Sequence, residues 1–307
     1  MDKLLEFQCF LKVAASRSFT RAAAQLNITP SAASKQVKSL EARLGARMFN
    51  RTTRHVSLTE AGRAFRDRIE PVLTEVEDAE QSVTQLSGEL RGLLRIGAPM
   101  DFGRAHLSEP IAQFVAEHSE LEVDVEFADR FVDVVDEGFD VVVRIGTLPD
   151  SSLVARYLGP CRRVICAAPS YLAQHGEPSN AVELAMHNRI SYSYETERSW
   201  TLHSDAGPAR VTLPIRHRSN NGELTRSLVL AGEGISLLPT FLVGDDLRSG
   251  RLKALLQSAP LDEIPINAVY PHRKYLSAKV RRFVDFLADH CGSNPPWDAG
   301  LRIGDSS

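Results

Sequence analysis

Six hydroxyl and cationic side chains near the N-terminus have the spacing to touch nucleic acid. Ser31, Ser34, Lys35 and Lys38 recur at three- and four-residue intervals, so one face of a helix would carry them. Arg51 and Arg54 follow in a basic segment that reads as a hairpin. Lys and Arg neutralise phosphates, and a helix laid in the major groove brings short polar side chains to base edges. Thr29 and Pro30 would open that helix, a hydroxyl cap followed by a proline whose missing N–H costs nothing at the first helical position. On its other face Ala33, Val37, Leu40 and Leu44 would meet a core, and Gly45 would end it. Upstream, Ser18 is a candidate cap for a short Ala-rich helix, Arg21 to Leu26, and Asn27-Ile28 form the turn between the two. Helical pairs of this kind are common in any domain, so charge decides. Residues 1–58 hold ten Lys/Arg and three Asp/Glu (+7), and the remainder 26 and 36 (−10), which together make the net −3. A basic lobe on an acidic protein is the footprint of phosphate binding.

Other chemistry is hard to find. The nine histidines never occur at HxH, HxxH or HxxxH spacing, so no local zinc pair is indicated. There is no G-x-S-x-G elbow and no Walker A sequence. Gly232-Glu233-Gly234 lacks the third glycine of a dinucleotide fingerprint, and a strand–helix turn explains it. Catalytic residues, metal ligands and cofactors are therefore not expected, and the chain does not read as an enzyme. Cys161 and Cys166 could form a redox pair, with Arg162 and Arg163 beside Cys161. Two buried small residues explain them as well, so a thiol-based redox sensor stands as an alternative. A solute-binding or enzymatic α/β protein is a further one. The first would carry an export signal and no basic helix pair, and the second would need a catalytic constellation.

At 307 residues and 43% hydrophobic, the chain is long enough for two or three compact units. No apolar run approaches the roughly 18 residues of a membrane helix. Asp2, Glu6 and Lys12 interrupt any secretory signal, and four cysteines are no disulfide framework, so the cytoplasm is the expected address.

Beyond residue 58 the pattern changes twice. Thr59 to about Leu90 reads as one long helix. Ile69, Val76, Val83 and Leu90 repeat every seven residues, with Val72, Ala79 and Leu86 complementing them. The simpler reading is an amphipathic helix packed on its own domain, but a helix between domains has little of its own chain to pack on. From Leu93 strands and helices alternate. Leu93–Gly97, Leu121–Phe127, Asp140–Ile145, Val164–Ala168, Ile190–Tyr192, Val211–Ile215, Ile235–Leu238 and Pro265–Tyr270 read as strands. Gly103–His118, Ala181–Met186, Glu223–Ala231 and Ser277–His290 read as helices. That alternation implies α/β units around parallel sheets. The stretch 292–307, polar and with Pro295-Pro296, is expected to be a frayed, disordered tail.

The pattern of Phe10, Ser18-Phe19, Ala22-Ala23, Leu26, Ser34, Leu40-Glu41, Leu44-Gly45, Phe49, Arg51, Arg54 and Leu58-Thr59-Glu60-Ala61-Gly62 resembles the N-terminal winged helix-turn-helix of LysR-type transcriptional regulators. The remainder resembles that family's effector-binding portion. The matched stretches there are Leu94-Arg95-Ile96-Gly97, Glu137-Gly138-Phe139-Asp140, Arg144-Ile145-Gly146, Asn221-Gly222 and Gly232-Glu233-Gly234-Ile235 with Leu238-Pro239. The resemblance implies a winged helix-turn-helix DNA-binding domain (1–58), a linker and dimerisation helix (59–91), and a two-lobed α/β effector domain of periplasmic-binding-protein-like architecture (92–291). Its lobe I would be 92–160 plus 267–291, and its lobe II 161–266. It implies sequence-specific transcription regulation through Thr29, Pro30, Ser31, Ser34, Lys35 and Lys38 of the recognition helix and Arg51 and Arg54 of the wing. Many relatives have Gln-Pro where this chain has Pro30-Ser31, so base reading by a glutamine does not carry over. The implied partners are double-stranded DNA, a small-molecule effector, a second copy in a homodimer or homotetramer, and RNA polymerase if the protein activates. No membrane is expected.

Ligands of open α/β sheets bind beyond the carboxyl ends of strands, near free helix N–H groups. Three loops meet that rule, and from them Pro99, Met100, Asp101, Asp129, Arg130, Arg144 and Asn221 form the expected effector set. Loop structure and inter-lobe packing would explain each residue singly. Many relatives place a Ser or Thr after the first strand, against an effector carboxylate. Asp101 in its place would repel one unless Arg130 or Arg144 compensates.

The heptad pattern carries a prediction of its own. Val76→Asp with Val83→Asp would put like charges into a paired seam, and burying an unpaired charge costs more than the apolar side chains stabilise. Sedimentation of the double variant should show loss of the dimer. An unchanged dimer would mean that the helix packs on its own subunit.

Overall fold

The computed structural model describes residues 2–51, 56–84, 90–148, 153–194, 199–204, 207–259, 261–271 and 276–301. They form two compact units, one of residues 1–88 with 274–278, the other of the remaining chain. In the first unit α1 (Lys3–Ser16), α2 (Phe19–Gln25) and α3 (Pro30–Leu44) precede a hairpin of β1 (Phe49–Arg51) and β2 (Val56–Leu58) and the long α4 (Glu60–Thr84). The caps are where sequence places them. Ser18 accepts from the Arg21 N–H, Thr29 from the Ala32 N–H, and Gly45 closes α3 in the left-handed region at φ 65°. Asn27 takes the turn's left-handed position at φ 53°, which asparagine tolerates. Ala22, Ala23, Ala33, Val37 and Leu40 are buried with Cys9, Phe10 and Phe49. Leu44 is not: it lies 40% exposed beside the terminating glycine.

The long helix runs through Pro71 and is described to Thr84, short of the expected Leu90; 85–89 lie outside the described residues. Ile69, the first seam position, is buried in the core of its own head, and Leu73 is buried as well. Val72 is 48% exposed. Of the seam positions, Ile69 is thus taken up by the core of its own head, and Val72 is the first that faces outward.

Among the described residues the second unit holds four sheets. In chain order come β3 (Gly92–Ala98), α5 (Met100–Phe102), α6 (Ser108–Ala116), β4 (Leu121–Phe127), β5 (Val141–Ile145), β6 (Leu153–Cys161) and β7 (Arg163–Ala167). Next are α7 (Pro169–His175), α8 (Ala181–Leu184), β8 (Arg189–Tyr192), β9 (Trp200–Ser204), β10 (Gly207–Val211), β11 (Ile215–Ser219) and α9 (Gly222–Leu230). The chain continues through β12 (Ser236–Pro239), α10 (Thr240–Arg248), β13 (Lys253–Leu255), β14 (Ile264–Pro271) and α11 (Ala278–Cys291). The first lobe is built on a five-stranded sheet, β4-β3-β5-β14-β6, and the second on β12-β7-β13, the pair β11-β8 and the antiparallel pair β10-β9.

Several sequence expectations need correction. The sheets are mixed: β3 runs parallel to β4 and β5, and β8 to β11, but β14, β12 and β13 pair antiparallel. Strand β6 escapes the sequence pattern because Gly159-Pro160 reads as a turn. It is an edge strand, where proline leaves no ladder bond unmade, and a Cβ at Gly159 would lie 2.5 Å from the Gly292 carbonyl oxygen. The expected strand Val211–Ile215 is the break between β10 and β11, where the Pro214 carbonyl accepts from the Arg189 N–H. The helix expected over Gly103–His118 starts earlier, at Met100, and passes through a π-helical turn, Gly103–Leu107, before α6.

The largest correction is at the C-terminus. Residues 292–301 do not fray: Pro296–Asp298 forms a 3₁₀ turn and Trp297 is 5% exposed. Its indole meets Phe102 edge-on at 5.3 Å and His106 at 4.8 Å. Asp298 pairs with Arg162 at 2.8 Å, and Arg248 donates to the Trp297 and Ala299 carbonyls. Polarity and paired prolines suggested disorder; one tryptophan and one carboxylate reverse it. Trp297→Ala should destabilise this unit by about 3–5 kcal/mol, as other buried Trp truncations do. Thermal unfolding checks this, and a chain cut after Cys291 that melts like the parent would show that the tail adds nothing.

Candidate functional site

In the head, the exposed face of α3 is the one the sequence marks. Ser31, Lys35 and Lys38 are exposed and Ser34 half-buried, opposite the buried Ala33, Val37 and Leu40. Thr29 and Pro30 are exposed at its start, but the Thr29 hydroxyl is engaged as the cap and 3.0 Å from Ser31 Oγ. Arg51 lies on β1, and Arg54 falls outside the described residues. The helix is held from behind by a buried carboxylate that the sequence reading missed. Glu6 of α1 accepts from Ser39 Oγ at 2.6 Å and from the Arg43 guanidinium at 2.7 Å, and the Ser39 hydrogen bond, then Arg43, hold its pKa below the usual range. Only the polar positions 39 and 43, on the helix flank toward α1, signalled it.

Several motif residues build the turn into the wing rather than a surface. Glu41 accepts from the Met48 and Phe49 N–H groups, and Thr59 Oγ1 donates to the Arg47 carbonyl while accepting from the Gly62 N–H. A Cβ at Gly62 would lie 2.1 Å from the Met48 carbonyl oxygen, so only glycine fits.

In the effector unit, the three expected loops do meet. Asp129 accepts from the Met100 N–H at 2.9 Å, joining the loops after β3 and β4. Asn221 caps α9 through the Leu224 N–H at 2.8 Å. Asp101, in the first lobe, accepts from the Glu223 N–H of the second at 3.2 Å. Below it Phe102 packs on Phe241 at 5.1 Å, and His106 Nε2 lies 2.9 Å from the Phe241 carbonyl. Burial raises the Asp101 pKa, as does the Asp129 charge, while the Glu223 N–H acts the other way. Pro99 precedes this cluster and gives α5 no side-chain cap.

The two arginines offered as compensation are engaged elsewhere. Arg130 pairs with Glu137 and, at 2.8 Å, with Glu126. Arg144 donates to the Val132 carbonyl and lies over the Phe131 ring at 4.1 Å. Tyr192 belongs to the cluster instead: burial, then the charges of Asp129 and Asp101, push its phenol pKa up. It ends β8 opposite Ser219 of parallel β11, so the strand-end rule would have found it. A separate groove of about 640 Å³, lined by Arg163, Lys253 and Leu301 among others, shares no residue with this cluster.

The cysteine alternative finds no support. Cys161 and Cys166 are fully buried, and desolvation pushes both thiols up to about 12, far from the thiolate that redox sensing requires. Among the described residues no group of three His, Cys, Asp or Glu could hold a metal, and no helix is long and apolar enough to cross a membrane.

Residues 4–63 match the family described as bacterial regulatory helix-turn-helix protein, lysR family, and residues 87–292 the LysR substrate binding domain. The chain is 36% identical over 281 residues to an uncharacterized HTH-type transcriptional regulator of Haemophilus influenzae, covering 91% of this chain and 98% of that one. It is 35% identical to the HTH-type transcriptional regulator CrgA of Neisseria meningitidis serogroup C, covering 94% and 97%. The solved structure of CrgA, a LysR-type regulator from Neisseria meningitidis, superposes with a TM-score of 0.61 at 33% identity over 94% of this chain and 98% of that one.

The buried Glu6 makes the head sensitive to acid. Because its folded pKa is lowered, its stabilisation is complete above the ordinary value of 4.5 and is lost as pH falls below it through the lowered value. Glu6→Gln should cost about 1.5–3 kcal/mol near pH 7, as loss of hydrogen bonds to a charged group does. Urea titrations from pH 7 to pH 3 should converge for parent and variant at the acid end; parallel curves would show that Glu6 is not the titrating group.

Proposed function

The chain belongs to the LysR family of transcriptional regulators, with a DNA-binding head and a two-lobed effector domain, and from that premise we propose how its own residues serve each part. The exposed face of α3 enters the major groove, where Ser31, Ser34, Lys35 and Lys38 meet base edges and phosphates. Thr29 and Pro30 present the helix start to the backbone, and Arg51 and Arg54 grip phosphate from the wing. The observation that carries this reading is the two-sided α3: Ala33, Val37 and Leu40 are wholly buried, while Ser31, Lys35 and Lys38 face out.

Members of the family are oligomeric regulators of transcription and not enzymes. Two copies of this chain pair through α4 from about Val72 onward, as a homodimer or a homotetramer, and read half-sites of an inverted repeat on chromosomal DNA in the cytoplasm. RNA polymerase is a further partner if the protein activates. A small molecule enters between the lobes beside Pro99, Met100, Asp101, Asp129, Tyr192 and Asn221, with Arg130 and Arg144 held aside at its rim. It changes DNA binding only as far as it prefers one arrangement of the lobes over the other.

Fluorescence anisotropy of the full-length chain on duplex from beside its own gene tests the head. Lys35→Ala should weaken specific binding by about 1–3 kcal/mol if it reads a base. Arg51→Ala should weaken all sequences alike and flatten the salt dependence by about one charge. Both variants binding as the parent does would contradict the assignment. For the cleft, a thermal-shift screen of the full-length chain against small metabolites should yield a ligand whose affinity falls in Asn221→Ala; indifference would place the sensor elsewhere.

A further inference from the structure

The start of α9 is where the two lobes exchange charge. A helix leaves its first N–H groups without intrahelical partners, and together with the helix dipole they favour an anion. Here Asn221 Oδ1 takes the Leu224 N–H. Asp101 Oδ2, from the other lobe, takes the Glu223 N–H at 3.2 Å, and the Gly222 N–H also favours its anion. The approach is close enough that a Cβ at Gly222 would lie 2.6 Å from that oxygen. The anion position at this helix is therefore occupied, and its occupant is a carboxylate on the same chain.

Among the described residues, the arginines around it are engaged elsewhere. Arg130 is held by Glu126 and Glu137, and Arg144 by Val132 and Phe131. Arg104 and Arg226 both reach Glu223 instead. The groups that face Asp101 electrostatically are Asp129, Glu223 and the Tyr192 phenol. Burial and Asp129 make the anion costly to hold, and the Glu223 and Gly222 N–H groups offset part of that cost.

We propose that Asp101 is a specificity-determining residue that stands in for an effector carboxylate. Its own carboxylate fills the anion position of α9, bridges the lobes before any ligand arrives and turns simple carboxylic acids away. What the cleft then offers a ligand is the carboxylates of Asp101 and Asp129 with the Tyr192 hydroxyl, an acceptor-rich wall suited to a neutral or cationic hydrogen-bond donor. This rests on the cleft being the effector site, as proposed above.

The test is chemical rescue in the full-length protein. Asp101→Ala empties the position while leaving the N–H groups, so potassium acetate should raise the variant's melting temperature with the logarithm of its concentration, as a ligand of the native state does. Potassium chloride at equal ionic strength should not. The parent should be indifferent to acetate, and so should Asp101→Asn, whose amide oxygen still fills the position. If Asp101→Ala folds poorly, Asp101→Ser carries the same comparison. An alanine or serine variant no more responsive to acetate than the parent overturns the proposal. An acetate-responsive variant whose DNA affinity ignores acetate supports the anion position and counts against effector control through this cleft.

Discussion

Backbone N–H groups at the ends of helices and strands need acceptors once they are withdrawn from water. In both units of this protein carboxylates from other elements meet that need. Glu41 takes the Met48 and Phe49 N–H groups, and so sets the entry into the wing. Asp140, just before β5, takes the Arg95 N–H within β3, where the ladder to β5 has not yet begun. Asp129 ties the loops after β3 and β4, and Asp101 crosses between lobes to α9. Remove these acceptors and the segments that present the functional surfaces lose their fixed geometry, although the cores behind them stay packed.

The same device explains how rigid each surface is. Helix α3 is pinned by Glu6 to Ser39 and Arg43, with Arg43 also over the Phe7 ring at 5.4 Å, so its outward residues are presented on a helix with little freedom to roll. In the second lobe the fully buried Asp246 is bracketed by Arg226 and Arg251, which anchors α9 to α10. The contacts between the lobes include the Phe102–Phe241 ring contact, the His106 approach to the Phe241 carbonyl and the Asp101 carboxylate on the Glu223 N–H.

Much of the head was legible because its signals are local. Caps at Ser18 and Thr29, the glycine at 45 and the period of Ala33, Val37 and Leu40 are set by neighbours within a few residues. The motif glycine at 62 and the acid at 41 were visible as pattern, but their work on the Met48 backbone was not, because it depends on where the hairpin returns. The loops of the cleft followed from the strand-end rule, while the partners of Arg130 and Arg144 did not. Glu137 is seven residues from Arg130, and Val132 is twelve from Arg144. Strand β6 hid behind a Gly-Pro pair that an edge tolerates, and the C-terminal turn behind a polar composition that one tryptophan overrides.

If Asp101 holds the α9 start without help from any ligand, as proposed, amide hydrogen exchange reads it most directly. In the ligand-free full-length protein, the Gly222 and Glu223 amides should be protected, and Asp101→Ala should release them while amides of α1 to α3 exchange as before. Equal exchange at Gly222 and Glu223 in parent and variant would contradict the account.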